Sequence, residues 1–195
     1  MKNESGERSY PIWLLLNPKH PGVCRSIWTP ILDEIQDKVY RKIETRIDTT
    51  NIFITNTIND IGKVPNTLNW WAAEVSKEIE LFRESILEYK PKILISFGAF
   101  PFEFARRVFN IKPEKGPKYW SNSNLNSEFE KTIENFNINQ TNRIPLLRQV
   151  SASSRYAEDQ SHSNRTDISN YFCDVGAKMA DKIIENKDSL DIWIE

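Results

Sequence analysis

Four segments carry side chains able to do chemistry together. In the first, Leu14-Leu15-Leu16 ends abruptly in a polar, proline-punctuated loop, Asn17-Pro18-Lys19-His20-Pro21-Gly22, and Trp28 follows shortly after. The second is Ile52-Phe53-Ile54, which leads through Thr55 to Asn56. In the third, an apolar run to Phe97 meets Gly98, and in the fourth Ile144-Pro145-Leu146-Leu147 leads to Ser151-Ala152-Ser153-Ser154-Arg155. Each layout is a strand delivering a polar group to a loop, and in open α/β sheets ligands bind at the carboxyl ends of the strands. Taken alone, Asn17 is a common turn residue. The repetition brings two carboxamides, a serine loop and an arginine to one edge. Hydrolases of other designs are not indicated. With only His20 and His162, no Ser-His-Asp triad is evident, and neither a glycosidase acid pair nor a phosphate-cradling glycine loop stands out.

The elements that must position these residues follow from periodicity. Buried β-prone runs predict strands at 12–16, 51–55, 92–97 and 143–150. Apolar positions three or four apart predict helices at 27–43, about 70–89, 99–109 and 166–186. Ile31, Ile35 and Val39 share one face of the first, while Val75, Ile79, Phe82 and Ile86 share one face of the second. Strands alternating with helices imply an α/β fold, a three-layer α/β/α arrangement around a mainly parallel four-stranded sheet. The chain reads as one domain, 1–195, with an Asn-rich insertion at about 112–142 that is either functional or disordered. Within it, residues 128–136 read as a short helix, and Arg106-Arg107 reads as a solvated helix face.

Composition narrows the classes. The 195 residues are 39% hydrophobic and 27% charged, an ordinary globular balance. No apolar run approaches the roughly 20 residues of a membrane helix. Residues 1–10 lack a signal-peptide core, so a cytoplasmic protein without a membrane partner is expected. Cys24 and Cys173 lie far apart and are too few for an iron–sulfur cluster or a thiolate zinc site, so neither metal nor cofactor is expected. The formal net charge of −1 means that any nucleic-acid contact rests on local patches.

In combination these segments resemble the uracil-DNA glycosylase superfamily over nearly the whole chain except the Asn-rich insertion. LLLNPKHPG is similar to that superfamily's first motif, a strand ending in an acidic residue or Asn, then Pro. The Asn form is that of the mismatch-specific and single-strand-selective branches. IFITNT resembles the strand carrying the base-reading Asn, and YKPKILISFGAFPFEFA the strand-turn-helix that follows. IPLLRQVSASSR stands in the place of the second motif, often His-Pro-Ser, which inserts into the minor groove.

The resemblance implies a monofunctional DNA glycosylase acting on double- or single-stranded DNA, which must extrude its target base. It implies that Asn17 positions the attacking water, a catalysis of placement. Base binding falls to Asn56, Trp28, Lys19 and His20, with the Asn56 carboxamide offering both a donor and an acceptor. Trp28 is either a stacking face or core packing. DNA contacts fall to Gly98, Ser151, Ser153, Ser154, Arg155 and Arg165, with Arg155 filling the emptied stack.

Three departures stand out. Lys19 follows Pro18 where the uracil-specific branch has a Tyr that excludes a 5-methyl group, so a 5-substituted pyrimidine fits. Val150 and Ser151 replace the second-motif His, and cluster cysteines are missing. The open alternatives are repair of uracil or thymine, defence by excision of a hypermodified phage cytosine, and a catalytically silent DNA- or protein-binding relative.

Overall fold

The computed structural model describes residues 4–17, 25–58, 73–116, 119–148 and 164–194. In chain order the elements are β1 (Ile12–Leu16), α1 (Arg25–Ile43), β2 (Arg46–Ile47), β3 (Phe53–Asn56), α2 (Ala73–Tyr89) and β4 (Ile93–Phe97). Then come α3 (Ala99–Val108), α4 (Asn122–Glu134), β5 (Asn142–Leu146), α5 (Asn164–Glu185) and β6 (Trp193–Ile194). They fall into two compact units. One comprises Met1–Val23 and Thr50–Leu147, the other Cys24–Thr49 and Arg148–Glu195.

The first unit holds a four-stranded sheet of order β3-β1-β4-β5, parallel throughout. Trp13 and Leu15 of β1, Phe53 of β3 and Leu94 of β4 join Val75, Ile79 and Ile86 of α2 and Phe100, Phe104 and Val108 of α3 in one core cluster. The alternate residues Ile12, Leu14, Leu16, Ile93, Ile95 and Phe97 face the other side and are buried too. Burial on both faces is what parallel strands require, and it explains why β1 and β4 are apolar runs without alternation. The α/β/α class with a parallel four-stranded sheet, expected from the sequence, is therefore the fold.

Both outer strands have their edges closed. Ser5 and Ile54 exchange two backbone hydrogen bonds of 2.8 and 3.0 Å along β3. This approach needs Gly6, whose φ is +79° and where a β-carbon would lie 1.9 Å from the Ile52 carbonyl oxygen. On β5, the Arg143 carbonyl accepts from Thr132 Oγ1 of α4 at 3.3 Å. The next outward residue is Pro145, which has no N–H to offer.

The insertion is ordered over most of its described length. α4 begins six residues before the helix read from the sequence, because the Ser121 hydroxyl caps it by accepting from the Asn124 amide. Leu125, Phe129 and Ile133 are its buried stripe. Arg106 and Arg107 correct a second expectation. They are not solvated, because Glu103, 0% exposed, draws both inward at i+3 and i+4.

In the second unit α1 packs along α5. The approach is close at Gly176, where a β-carbon would meet Glu34 Cβ at 2.7 Å. Lys38 and Lys42 of α1 share Asp181 of α5 at 2.8 and 2.6 Å. The Gln36 amide brackets β2, accepting from the Ile47 N–H and donating to its carbonyl, and β2 pairs antiparallel with β6. These two-residue strands are too short to show in a periodicity.

Candidate functional site

The connections fix where a ligand would lie in the first unit. From β1 the chain goes to β3 on one side, and from β4 it goes to β5 on the other. The crevice between the carboxyl ends of β1 and β4 is therefore the topological switch point, the usual ligand position in such sheets. Asn17 is the residue after β1, and Gly98 the residue after β4.

Asn17 is half-buried. The backbone before it is held by the Thr57 N–H, which donates to the Leu16 carbonyl at 2.8 Å. Leu16 is in register with Asn56, so Asn17 and Asn56 lie at the carboxyl ends of adjacent parallel strands, one residue out of register. Asn56 is the last residue of β3, half-buried, and not a loop residue as the sequence suggested. Gly98 is buried, with φ 94° and ψ 177°, a conformation that side chains disfavour. Its N–H donates to the Leu146 carbonyl at 2.8 Å, and α3 starts immediately after it. The strand-to-helix turn thus points the α3 N-terminus, the positive end of its dipole, at the same edge.

Of the expected residues described in the first unit, Asn17, Asn56 and Gly98 share one edge of the sheet. Trp28 is half-buried in α1 of the second unit. Arg165 lies in the first turn of α5, where only the backbone is described. Lys19, His20, Ser151, Ser153, Ser154 and Arg155 fall outside the described residues. Arg148 is half-buried, and its Nε has no hydrogen-bond partner. Among the described residues no group of three His, Cys, Asp or Glu side chains could hold a metal ion, and no helix is long and apolar enough to cross a membrane.

One feature beside Asn56 was not foreseen. A hollow of about 250 Å³ runs between β3 and α2, with Thr55, Asn56 and Thr57 on one wall and Glu78, Leu81, Phe82, Glu84, Ser85 and Glu88 on the other. Glu4 and Arg8 of the N-terminal arm complete it. Arg8 Nη2 lies 2.9 and 2.8 Å from the two Glu4 oxygens. That hydrogen bonding raises the Arg8 pKa against the opposing effect of burial, with the charge of Glu88 adding to the rise. Four carboxylates against one guanidinium leave the lining at a net −3. Thr57 is 2% exposed, and its Oγ1 has no hydrogen-bond partner. From sequence the α2 glutamates look like an ordinary solvated face, and nothing there pairs them with residues 4–8.

No family model matches the chain, and no curated protein matches it.

Proposed function

We propose that the chain is a monofunctional DNA glycosylase that extrudes a pyrimidine and hydrolyses its N-glycosidic bond. The observation that carries this reading is Asn17 directly after β1, at the switch point and on the strand next to the one that Asn56 ends, within the Asn-Pro motif that resembles the uracil-DNA glycosylase superfamily. In this reading the Asn17 carboxamide holds a water against C1′ of the extruded nucleotide. The C1′–N bond breaks with its electron pair leaving on the base, the water oxygen bonds to C1′, and the water proton passes to solvent. A neutral amide cannot act as a strong base, so its contribution is placement. Asn56 offers a donor and an acceptor to the base edge, and one amide orientation suits uracil or thymine while the other suits cytosine. Lys19, where the uracil-specific branch has Tyr, favours a 5-substituted pyrimidine as substrate.

The test is cleavage of oligonucleotides carrying uracil, thymine mismatches and hydroxymethylated or glucosylated cytosines, followed by alkali. At least one base should be excised, and Asn17→Ala should slow that excision about 10²-fold or more with folding intact. Wild-type kinetics in the mutant remove Asn17 from the mechanism. A second reading, a relative that binds a cationic partner without cleaving DNA, is favoured by the acidic hollow beside Asn56, which repels phosphate. Failure of every base in the panel selects it.

A further inference from the structure

We propose that the flank of the first unit carrying Lys115, Tyr119 and Arg143 binds a single nucleic-acid strand, stacking a base on Tyr119 and meeting phosphates with Lys115 and Arg143. Charge is the first argument. The net charge of −1 covers a local excess of the opposite sign, because residues 103–118 hold five basic side chains against two acidic ones. Glu103 and Glu114 engage Arg106, Arg107 and Lys112. Among the described residues, the side chains of Lys115 and Arg143 enter no hydrogen bond or ion pair. Both cations rest on rings instead. Lys115 Nζ lies 4.1 Å from the centroid of Tyr119, and Arg143 Cζ lies 4.9 Å from that of Phe109. Arg143 is half-buried, and burial, reinforced by the like charge of Arg106, holds its pKa below the ordinary value. Glu128 opposes that shift but is itself bonded to Lys131. A guanidinium so placed lacks a counter-charge, and a phosphate supplies one.

The rings are the second argument and are independent of the charges. Tyr119 is 44% exposed. Trp120 meets it edge to face at 4.9 Å, and meets Phe102 of α3 in the same way at 4.7 Å. Trp120 is fixed in turn, since its Nε1 donates to Glu103 and Arg106 lies over its ring. Tyr119 is thus an exposed aromatic on a rigid support, and a base stacks on such a ring at little ordering cost. Arg106 makes one surface of the two cations: it lies over Trp120 beside Tyr119, and its charge acts on Arg143. The Lys115 stem is flexible, so its ammonium can leave the ring for a phosphate when a base takes its place. An anionic lipid or an inorganic polyanion would use the cations and leave the Tyr119 ring idle. A duplex keeps its bases stacked on one another. A single strand with splayed bases uses both the ring and the cations.

Fluorescence anisotropy of a labelled oligodeoxyadenylate of about 12 nucleotides, within the length such surfaces cover, tests this on the full chain. That strand holds no pyrimidine, so the outcome does not depend on base excision and the two proposals fail separately. Saturable binding that weakens with salt is expected. Tyr119→Ala should weaken it about fivefold or more, the scale of one lost stacking contact, while Tyr119→Phe should stay within about twofold of wild type. Lys115→Gln and Arg143→Gln should each lower the slope of log affinity against log salt by about 0.7, the share of one phosphate in a single strand. Lys77→Gln, which removes an exposed charge of α2 instead, should leave affinity and slope unchanged. Circular dichroism reports that each variant is folded, and Lys115→Gln serves where Arg143→Gln is not. The proposal is overturned by no saturable binding up to about 100 μM strand at low salt. Wild-type affinity in folded Tyr119→Ala overturns it, as does an unchanged salt slope in either folded charge variant. Inorganic polyphosphate of matched charge that competes as well as the strand also overturns it, since polyphosphate has no base to stack.

Discussion

Two acidic regions of the first unit differ in how their charge is met. Glu103, 0% exposed, accepts from Arg106 Nη1 at 2.8 Å, Arg107 Nε at 3.2 Å, the Lys115 amide at 2.8 Å and Trp120 Nε1 at 2.8 Å. Arg106 also lies over the Trp120 ring at 5.1 Å. Glu84 and Glu88 of α2 line an open hollow whose one guanidinium, Arg8, is engaged by Glu4. A buried carboxylate is tolerable only when its oxygens are bonded and its charge is matched. Glu103 meets both conditions, and in doing so it ties Lys115 and Trp120 to α3. It has no capacity left for a ligand. The exposed carboxylates of Glu84 and Glu88 need no such matching, because water solvates them. Saturation marks Glu103 as scaffold.

Substitutions can break this contrast. Glu103→Ala leaves Arg106 buried without its counter-charge, and should cost about 3–5 kcal/mol in urea unfolding. A loss below about 1 kcal/mol would mean that the cluster does not hold α3 to the segment after it. Next comes Gly6→Ala in the arm that walls the hollow. The positive φ and the contact with the Ile52 carbonyl should cost about 1–3 kcal/mol. An unchanged melting temperature would show that the arm leaves β3 freely.

Asp181 sits between the two extremes, half-exposed and shared by two lysines. Burial pushes its carboxyl up, but the hydrogen bonds and charges of Lys38 and Lys42 outweigh burial and hold it below the ordinary value. A lowered carboxylate stabilises the fold fully above the unfolded pKa of about 3.9 and loses that stabilisation as pH falls through the lowered value. Asp181→Asn should therefore cost less than about 1 kcal/mol at neutral pH, because half-exposed pairs are screened. The difference from wild type should close below pH 4, and a gap that persists in acid would assign the effect to packing. The smallest effect belongs to Glu84→Gln/Glu88→Gln, which should change stability by no more than about 0.5 kcal/mol. A larger loss would move these side chains from the hollow into the scaffold.

Much of the frame was legible because burial on two faces leaves uninterrupted apolar runs. Ile12–Leu16 is the strand its composition demands, and α2 ends where Pro91 requires. The Ser121 cap of α4 and the i+3 and i+4 pairing of Glu103 with Arg106 and Arg107 were not read from the sequence. Their burial could not be read, since it depends on Trp120, 17 residues on. At the site, the ends of parallel strands had to share an edge once the sheet was assumed, which placed Asn17, Asn56 and Gly98. The hollow was invisible, because it is made by residues 4–8 meeting a helix some 70 positions later.

The closed strand edges bear on what this protein does when crowded. An exposed outer strand is a template on which a second molecule can add its own backbone and begin a fibril. Here the template is withheld by unlike devices: a borrowed dipeptide edge at Ser5 on one side, a side-chain hydroxyl and a proline on the other. The first rests on two backbone hydrogen bonds that the arm can release, whereas Pro145 of β5 has no N–H to expose when Thr132 lets go. Self-association, if provoked by heat or by loosening the amino-terminal arm, should therefore grow from β3 alone, and a single charged residue at Ile54, half-buried in that strand, should suppress it.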